Sequence, residues 1–308
     1  MKEYFNILLA TDYSETSMNA ELYAIQFAKD SKSYLTQLHV YKKPSLASLT
    51  EEDVAKQLNA VKKTELKKLK DHRNKILKAL HTNIHELYFR SVVKEGNIAK
   101  AILQEAKYIE ADFIIIGTHG ANTFREKFFG SHVWDILKNA TVPLILIPQD
   151  SLYRRIKKII FVTEFREGEL PIIQYLSHLS NQLEAELTIL HIANNSISNE
   201  FEKHLTTDFL NEVKSQTNND SLNIQVIKKD NIVEGINNYC INNEIDWLIM
   251  SPEQKFLFEK IFNPGSSTVK KMAFQTLLPL VTIPDYYNPS FAKYLDIIDV
   301  NTYMSELY

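Results

Sequence analysis

Short apolar runs alternate with longer segments of helical periodicity in the first half of the chain. Runs such as Ile7-Leu8-Leu9 and Phe113-Ile114-Ile115 are continuous, as in strands that are buried on both faces of a parallel sheet. The segments between them space their apolar residues for one buried helix face. The pattern predicts strands at 5–11, 34–41, 85–93, 112–117 and 143–148, and helices at 15–30, 51–80, 97–108 and 131–139. This alternation is typical of an α/β fold with a parallel sheet.

The same unit occurs twice along the 308 residues. A strand that ends in Thr11-Asp12 is repeated as one that ends in Thr163-Glu164. Further matches follow in the same order: Leu38-His39-Val40 with Leu190-His191-Ile192, Asn97-Ile98 with Asn231-Ile232, 112–116 with 246–250, and 142–148 with 278–284. The repeat predicts domains at 1–150 and 151–285, joined through residues 149–157 and followed by a C-terminal extension at 286–308.

One loop of the first copy is rich in glycine. The chain has seven glycines; Gly117 ends one predicted strand, and Gly120 and Gly130 follow before the next predicted helix. Glycine lets a backbone approach an anion closely, and the free N–H groups at a helix N-terminus favour negative charge. Ser131 stands near the start of that helix as a candidate N-cap. A strand, a glycine loop and a helix N-terminus in this order indicate a phosphate-binding site.

Charge, cysteine content and hydrophobic run length bear on the partners and the location of the protein. The net charge is −3, so nucleic acid is an unattractive partner, because phosphate-backbone binding needs a basic surface. The single cysteine, Cys240, excludes an internal disulfide framework and is interpreted as a small buried hydrophobe. No apolar stretch approaches the ~20 residues of a membrane span, and the opening residues lack a signal-peptide pattern. We therefore expect a cytoplasmic protein without a membrane partner.

These motifs resemble the universal stress protein family, whose nucleotide-binding members carry Gly-x2-Gly-x9-Gly-Ser/Thr. Gly117, Gly120, Gly130 and Ser131 fit that spacing, although Ala10 stands where proline is common in the family. The resemblance extends over residues 3–148 and 156–285 as a tandem pair. It implies two doubly wound, Rossmann-like α/β domains, each with a parallel five-stranded sheet of order 3-2-1-4-5 and helices on both faces.

The resemblance also implies a ligand: ATP, or AMP or ADP, in the first domain, with Mg²⁺ as a companion of ATP. In this strand order the carboxyl ends of strands 1 and 4 open a crevice in which ligands bind. Asp12 and Val40 would neighbour adenine and ribose, and backbone N–H groups of the glycine loop would hold ribose and phosphates. The implied binding residues are Thr11, Asp12, Val40, Gly117, Thr118, His119, Gly120, Gly130, Ser131 and His132.

No catalytic or metal-binding residue is assigned. His119 lies within the loop, but histidine is usual there in the family, so a catalytic base is the weaker interpretation. Arg125 and Lys127 are candidates to reach outer phosphates, with a solvated loop as the alternative. P-loop, dinucleotide and hydrolase-elbow motifs are absent from the sequence.

The second copy departs from the pattern. Ser251 and Gln254 replace the first two glycines, Glu164 replaces Asp12, and only Gly265-Ser266 survives in a longer loop. Pro252 also removes a backbone N–H. We therefore expect the second domain to be structural or to accept another ligand.

The leading hypothesis is a tandem universal stress protein that binds adenine nucleotide and acts as a nucleotide-responsive stress regulator. Two alternatives stay open: a dimerisation or interaction scaffold without nucleotide, and a slow ATP hydrolase or adenylyl-transfer enzyme on the same fold. The apolar edge strands 143–148 and 279–284 predict an intramolecular pseudo-dimer of domains. The C-terminal extension is rich in aromatic and aliphatic residues, which predicts an ordered contact within the chain or in a homodimer.

Overall fold

The computed structural model describes residues 4–44, 50–118, 131–165, 167–193, 207–209, 211, 213, 222–251 and 278–284. The chain divides into two compact units, with the change from the first to the second between Tyr153 and Arg154. The whole C-terminal extension and most of both glycine loops lie outside the described residues, so the sequence predictions for them stay predictions.

The first unit is a doubly wound α/β domain. Its strands are all parallel and follow the order β3-β2-β1-β4-β5, as expected from the family resemblance. The elements are β1 (Asn6–Thr11), α1 (Glu15–Asp30), β2 (Tyr34–Tyr41), α2 (Glu51–Ala79), β3 (Tyr88–Glu95), α3 (Ile98–Tyr108), β4 (Phe113–Thr118), α4 (Ser131–Asn139) and β5 (Leu144–Pro148).

Helices cover both faces of this sheet. Glu21 of α1 bonds to His72 of α2 on one face, and Lys94 of β3 pairs with Glu105 of α3 on the other. Successive residues Ile7, Leu8 and Leu9 are therefore all fully buried, because neighbouring side chains of a strand point to opposite faces. This burial explains why the strand sequences are continuously apolar rather than alternating.

One predicted strand begins later than expected. The sequence pattern predicts residues 85–93, but Ile84–Glu86 form a 3-10 turn and β3 starts at Tyr88. The side chain of Asn83 accepts a hydrogen bond from the His85 backbone N–H at 3.1 Å, which caps the turn. A local side-chain bond therefore overrides the strand pattern for the first residues.

The second unit repeats this architecture. Its parallel strands follow the order β8-β7-β6-β9-β10, which is again 3-2-1-4-5 in repeat numbering. The described elements are β6 (Lys158–Thr163), α5 (Leu170–Leu183), β7 (Glu186–Ala193), β8 (Asn223–Lys228), α6 (Ile232–Asn243), β9 (Trp247–Met250) and β10 (Leu280–Thr282).

Two of the repeated sequence motifs make the same bonds in both units. Asp112 accepts a hydrogen bond from the first backbone N–H of β1 at 2.7 Å, and Asp246 accepts from that of β6 at 3.0 Å. Asn97 and Asn231 cap the helices that follow strands 3 of each unit, with bonds of 3.0 and 3.3 Å. These repeated residues therefore specify the fold.

Cys240 lies in the core of the second unit with 1% of its surface exposed, as the sequence interpretation expects. Burial raises the pKa of its thiol to about 12, so the reactive thiolate is scarce at neutral pH. We expect negligible labelling of the native chain by Ellman's reagent at pH 8, and one thiol per chain after denaturation in guanidinium. Rapid labelling of the native chain would contradict this burial.

Candidate functional site

The carboxyl ends of β1, β2 and β4 meet at one edge of the first sheet. β1 pairs with β2 on one side and with β4 on the other. Strands β2 and β3 are added on one side of β1, and β4 and β5 on the other, so the order of the strands in the sheet reverses next to β1. Ligands of open α/β sheets bind at such a switch point. The structure thus brings Thr11-Asp12, Val40 and Gly117-Thr118 to the same edge, although they are distant in sequence.

Asp12 is exposed at the turn between β1 and α1. Its Oδ1 atom accepts a hydrogen bond from the Ser14 backbone N–H at 3.0 Å. Partial burial alone would raise the pKa of Asp12, but hydrogen bonds from Ser14 and Ser17 outweigh it, and the net shift is downward. The carboxylate is therefore ionised at neutral pH and accepts hydrogen bonds only.

The next residue, Tyr13, has a left-handed backbone with φ of 65°. Its ring lies against His39, with ring centroids 4.4 Å apart, and beneath the ammonium group of Lys68 at 4.7 Å. Burial, and then the carboxylates of Glu65 and Glu21, raise the pKa of Tyr13 well above its ordinary value, so the phenol stays neutral. The half-buried ring of Tyr13 thus contacts β2 through His39 and α2 through Lys68.

The end of β2 contributes His39 and Val40. His39 Nδ1 lies 2.8 Å from the backbone oxygen of Thr11, and since a carbonyl oxygen only accepts, this nitrogen is the donor. Val40 is the next residue of the strand and is half-buried. The side chain of His39 thus joins β1 to β2, and that of Val40 projects from the opposite face.

Gly117 is required by the fold itself. A Cβ atom at this position would lie 2.4 Å from the backbone oxygen of Thr16 and 3.1 Å from the Cα of Ser17. The first turn of α1 therefore packs on β4 at a distance that only glycine permits. The next residue, Thr118, is buried with 7% exposure. The absence of a side chain at Gly117 is explained by α1 without a ligand.

The rest of the glycine motif is only partly described. Helix α4 begins at Ser131, so this residue takes the first helical position rather than the cap before it, and His132 is exposed. His119, Gly120 and Gly130 lie outside the described residues, as do Arg125 and Lys127. Their roles stay predictions from the sequence.

A buried polar group behind the turn was not predicted. Glu21 is fully buried in α1, and its carboxylate accepts hydrogen bonds from Thr11, from Gln37 at 3.0 Å and from His72 at 3.1 Å. The sequence contains an indication of this group, because Glu21 lies on the buried apolar face of α1 together with Ala20 and Ala24. A charged residue at a core position needs buried partners.

The second unit arranges the corresponding turn differently. Helix α5 begins only at Leu170, after a 3-10 turn at Glu167–Glu169. The buried carboxylate of Glu169 accepts from the Thr163 hydroxyl at 2.5 Å and from the Glu164 backbone N–H at 3.2 Å. Ser251 is accommodated at the end of β9, where the first unit has Gly117. The two strand edges therefore differ in helix position as well as in sequence.

The described residues show neither a cluster of metal-ligating side chains nor a helix that could span a membrane. No group of three or more His, Cys, Asp or Glu side chains with metal-binding geometry occurs among them. Within the same part of the chain, every helix is too short or too polar to cross a membrane.

The fold and the strand edge define an α/β protein with tandem doubly wound domains and a candidate ligand crevice. Residues 3–148 match the model of the universal stress protein family. A universal stress protein of Methanocaldococcus jannaschii is 26% identical over 148 residues, which cover 47% of this chain and 82% of that protein. The match to this family therefore lies in the first domain of the chain.

Solved structures resemble the chain along most of its length. A universal stress protein of Archaeoglobus fulgidus aligns with a TM-score of 0.62 at 15% identity, covering 91% of this chain and 98% of its own. A putative universal stress protein of Pseudomonas aeruginosa gives 0.52 at 12% identity, with 96% and 97% covered. These likenesses concern the fold, and they include the second repeat.

Proposed function

We propose that the first domain binds ATP or a related adenine nucleotide at the carboxyl edge of β1, β2 and β4. The observation that carries the proposal is the placement of Asp12 beside the end of β4, from which the Gly-x2-Gly-x9-Gly-Ser sequence continues. An ionised carboxylate at one end of the crevice suits the hydrogen-bond donors of adenine and ribose. The glycine loop and the start of α4 suit the phosphates.

The second domain is proposed not to bind the nucleotide. Its Glu164 backbone N–H is already bonded to Glu169, and Gln254 stands in place of Gly120. The asymmetry favours a regulator in which the first domain carries the nucleotide and the second has another role. Nucleotide-dependent regulation of a stress response is the function that this arrangement supports best.

Titration of the full chain with ATP in a calorimeter tests this proposal. We expect about one nucleotide per chain, because one crevice keeps the phosphate-binding sequence and the other does not. Chromatography of an extract from the denatured protein should show any adenine nucleotide that is retained during purification, and GTP serves as the base-specificity control. Two equal sites would contradict the asymmetry, and no heat and no retained nucleotide would contradict nucleotide binding.

A further inference from the structure

The hydroxyl group of Thr11 is directed at helix α1. Thr11 is the last residue of β1, and only 6% of its surface is exposed. Its Oγ1 atom donates to the carboxylate of Glu21 and accepts the backbone N–H of Tyr13 at 3.2 Å. One side chain thus joins the end of β1 to the second turn of α1 and to the turn that carries Asp12.

Glu21 holds this hydroxyl in place through a wider set of bonds. Its Oε2 atom accepts from Gln37 Nε2 at 3.0 Å and lies 3.0 Å from His72 Nε2, while Oε1 lies 3.1 Å from the same His72 nitrogen. A carboxylate only accepts, so His72 donates from Nε2. These partners come from β2 and α2, which fixes the carboxylate and therefore the direction of the Thr11 hydroxyl.

The bond from Tyr13 to Thr11 controls the orientation of the turn. Tyr13 has a left-handed backbone, which is unfavourable for a non-glycine residue and needs compensating contacts. The Thr11 oxygen satisfies its backbone N–H at 3.2 Å, and Asp12, the residue between the two, is exposed. Loss of that acceptor would release the turn that presents Asp12.

The second repeat supports the same requirement with different residues. Thr163 donates to Glu169 at 2.5 Å and accepts the backbone N–H of Phe165 at 2.9 Å, and Phe165 is also left-handed, with φ of 58°. Glu169 is not the sequence counterpart of Glu21, whose place is taken by Ile173. The threonine at the end of strand 1 thus bonds to a buried carboxylate in both units, although the two glutamates stand at different positions of the repeat.

We propose that Thr11 is a positioning residue of the nucleotide site, which acts by holding the Tyr13 turn against Glu21 so that Asp12 faces the crevice. This inference rests on the proposed nucleotide binding in the first domain. Thr11 then needs no contact with the ligand: its effect on affinity passes through the backbone of the turn.

The test compares Thr11→Val with Thr11→Ser in the full chain, with Kd for ATP from calorimetry. Valine has the shape of threonine but neither donates nor accepts, so we expect Kd to rise about tenfold. Serine keeps the hydroxyl, and its Kd should stay within about threefold of the parent value. Thr163→Val is the matched control: it removes the same bonds in the second domain and should leave Kd within about twofold.

Thermal melting separates affinity from stability. Both valine variants should lower a melting transition by about 2–8 °C, because each loses a buried hydrogen-bonding group. If Thr11→Val and Thr163→Val change Kd equally, or if Thr11→Ser weakens binding as much as Thr11→Val, the positioning role is wrong. If the parent chain itself does not bind ATP, the proposed function fails, whereas tight parent binding with an unchanged Kd in Thr11→Val overturns this inference alone.

Discussion

Replacement of Gly117 by alanine is expected to destabilise the first domain by about 3 kcal/mol in the absence of nucleotide. The added Cβ would lie 2.4 Å from the Thr16 backbone oxygen, so helix α1 or strand β4 must shift. Both elements belong to the core, where displacement disturbs many contacts at once. Urea unfolding of the chain without ligand measures the effect.

The two tryptophans of the chain allow each domain to be followed separately. Trp134 lies in α4 of the first unit, and Trp247 is buried in β9 of the second. A Trp247→Phe background leaves Trp134 as the fluorescent reporter, and Gly117→Ala is compared with its parent in that background. The cost of the background change then cancels.

Ser251→Ala, followed through Trp247 in a Trp134→Phe background, provides the matched control in the second domain. The position already carries a Cβ atom, so this change removes only a hydroxyl and should cost about 1 kcal/mol or less. An unfolding curve of Gly117→Ala that coincides with that of its parent would contradict the close packing of α1 on β4. The comparison distinguishes a glycine that serves the fold from one that serves a ligand.

Most of the fold could be predicted because the same strand and helix pattern occurs twice in the sequence. The motifs that recur in both repeats are those that build each unit, such as Asp112 and Asp246 at the strand starts. His39 and His191 likewise bond to the backbone oxygens of Thr11 and Thr163, at 2.8 and 2.9 Å. Residues with a structural task recur, and so the repeat indicates the architecture more directly than it indicates the ligand.

Two elements begin at residues that the apolar periodicity of the sequence does not predict, and the causes are local hydrogen bonds. β3 begins late because the Asn83 side chain stabilises a 3-10 turn. Helix α5 begins later after its strand than α1 does, and the intervening turn places Glu169 beside Thr163. A side chain that bonds to nearby backbone changes where an element starts without changing the apolar pattern that predicts it.

The candidate site was predicted in outline but not in detail. The sequence correctly brings Asp12 and Gly117 to one strand edge, because strand order determines which carboxyl ends are neighbours. It could not show that Gly117 accommodates α1, since a missing Cβ suits close approach by a ligand and by a helix equally. The sequence also did not reveal the partners of Glu21, because they lie on other elements, namely β1, β2 and α2.

Pairing of the two domains through their edge strands stays a prediction.

Gly120→Val is expected to weaken ATP binding at least about 100-fold, which corresponds to about 2.7 kcal/mol. Gly120 is the second glycine of the Gly-x2-Gly-x9-Gly-Ser sequence that follows β4. A branched side chain there would occupy the space that the phosphates need next to the backbone N–H groups, and would disfavour the conformations that glycine alone adopts freely. Calorimetric titration of the full chain with ATP measures the loss.

The melting temperature of Gly120→Val should stay within about 2 °C of the parent value without nucleotide, because Gly120 falls between the predicted strand 112–117 and the predicted helix 131–139. Gly265→Val is the control in the second repeat, where Gly265-Ser266 corresponds to Gly130-Ser131 and is the part of the motif that survives. It should leave the ATP affinity unchanged if only the first domain binds. Parent-like affinity in Gly120→Val would exclude this loop as the phosphate site, and equal losses in both variants would assign nucleotide contacts to both domains. A selective loss in Gly120→Val, with the fold intact, is the result that the one-site proposal requires.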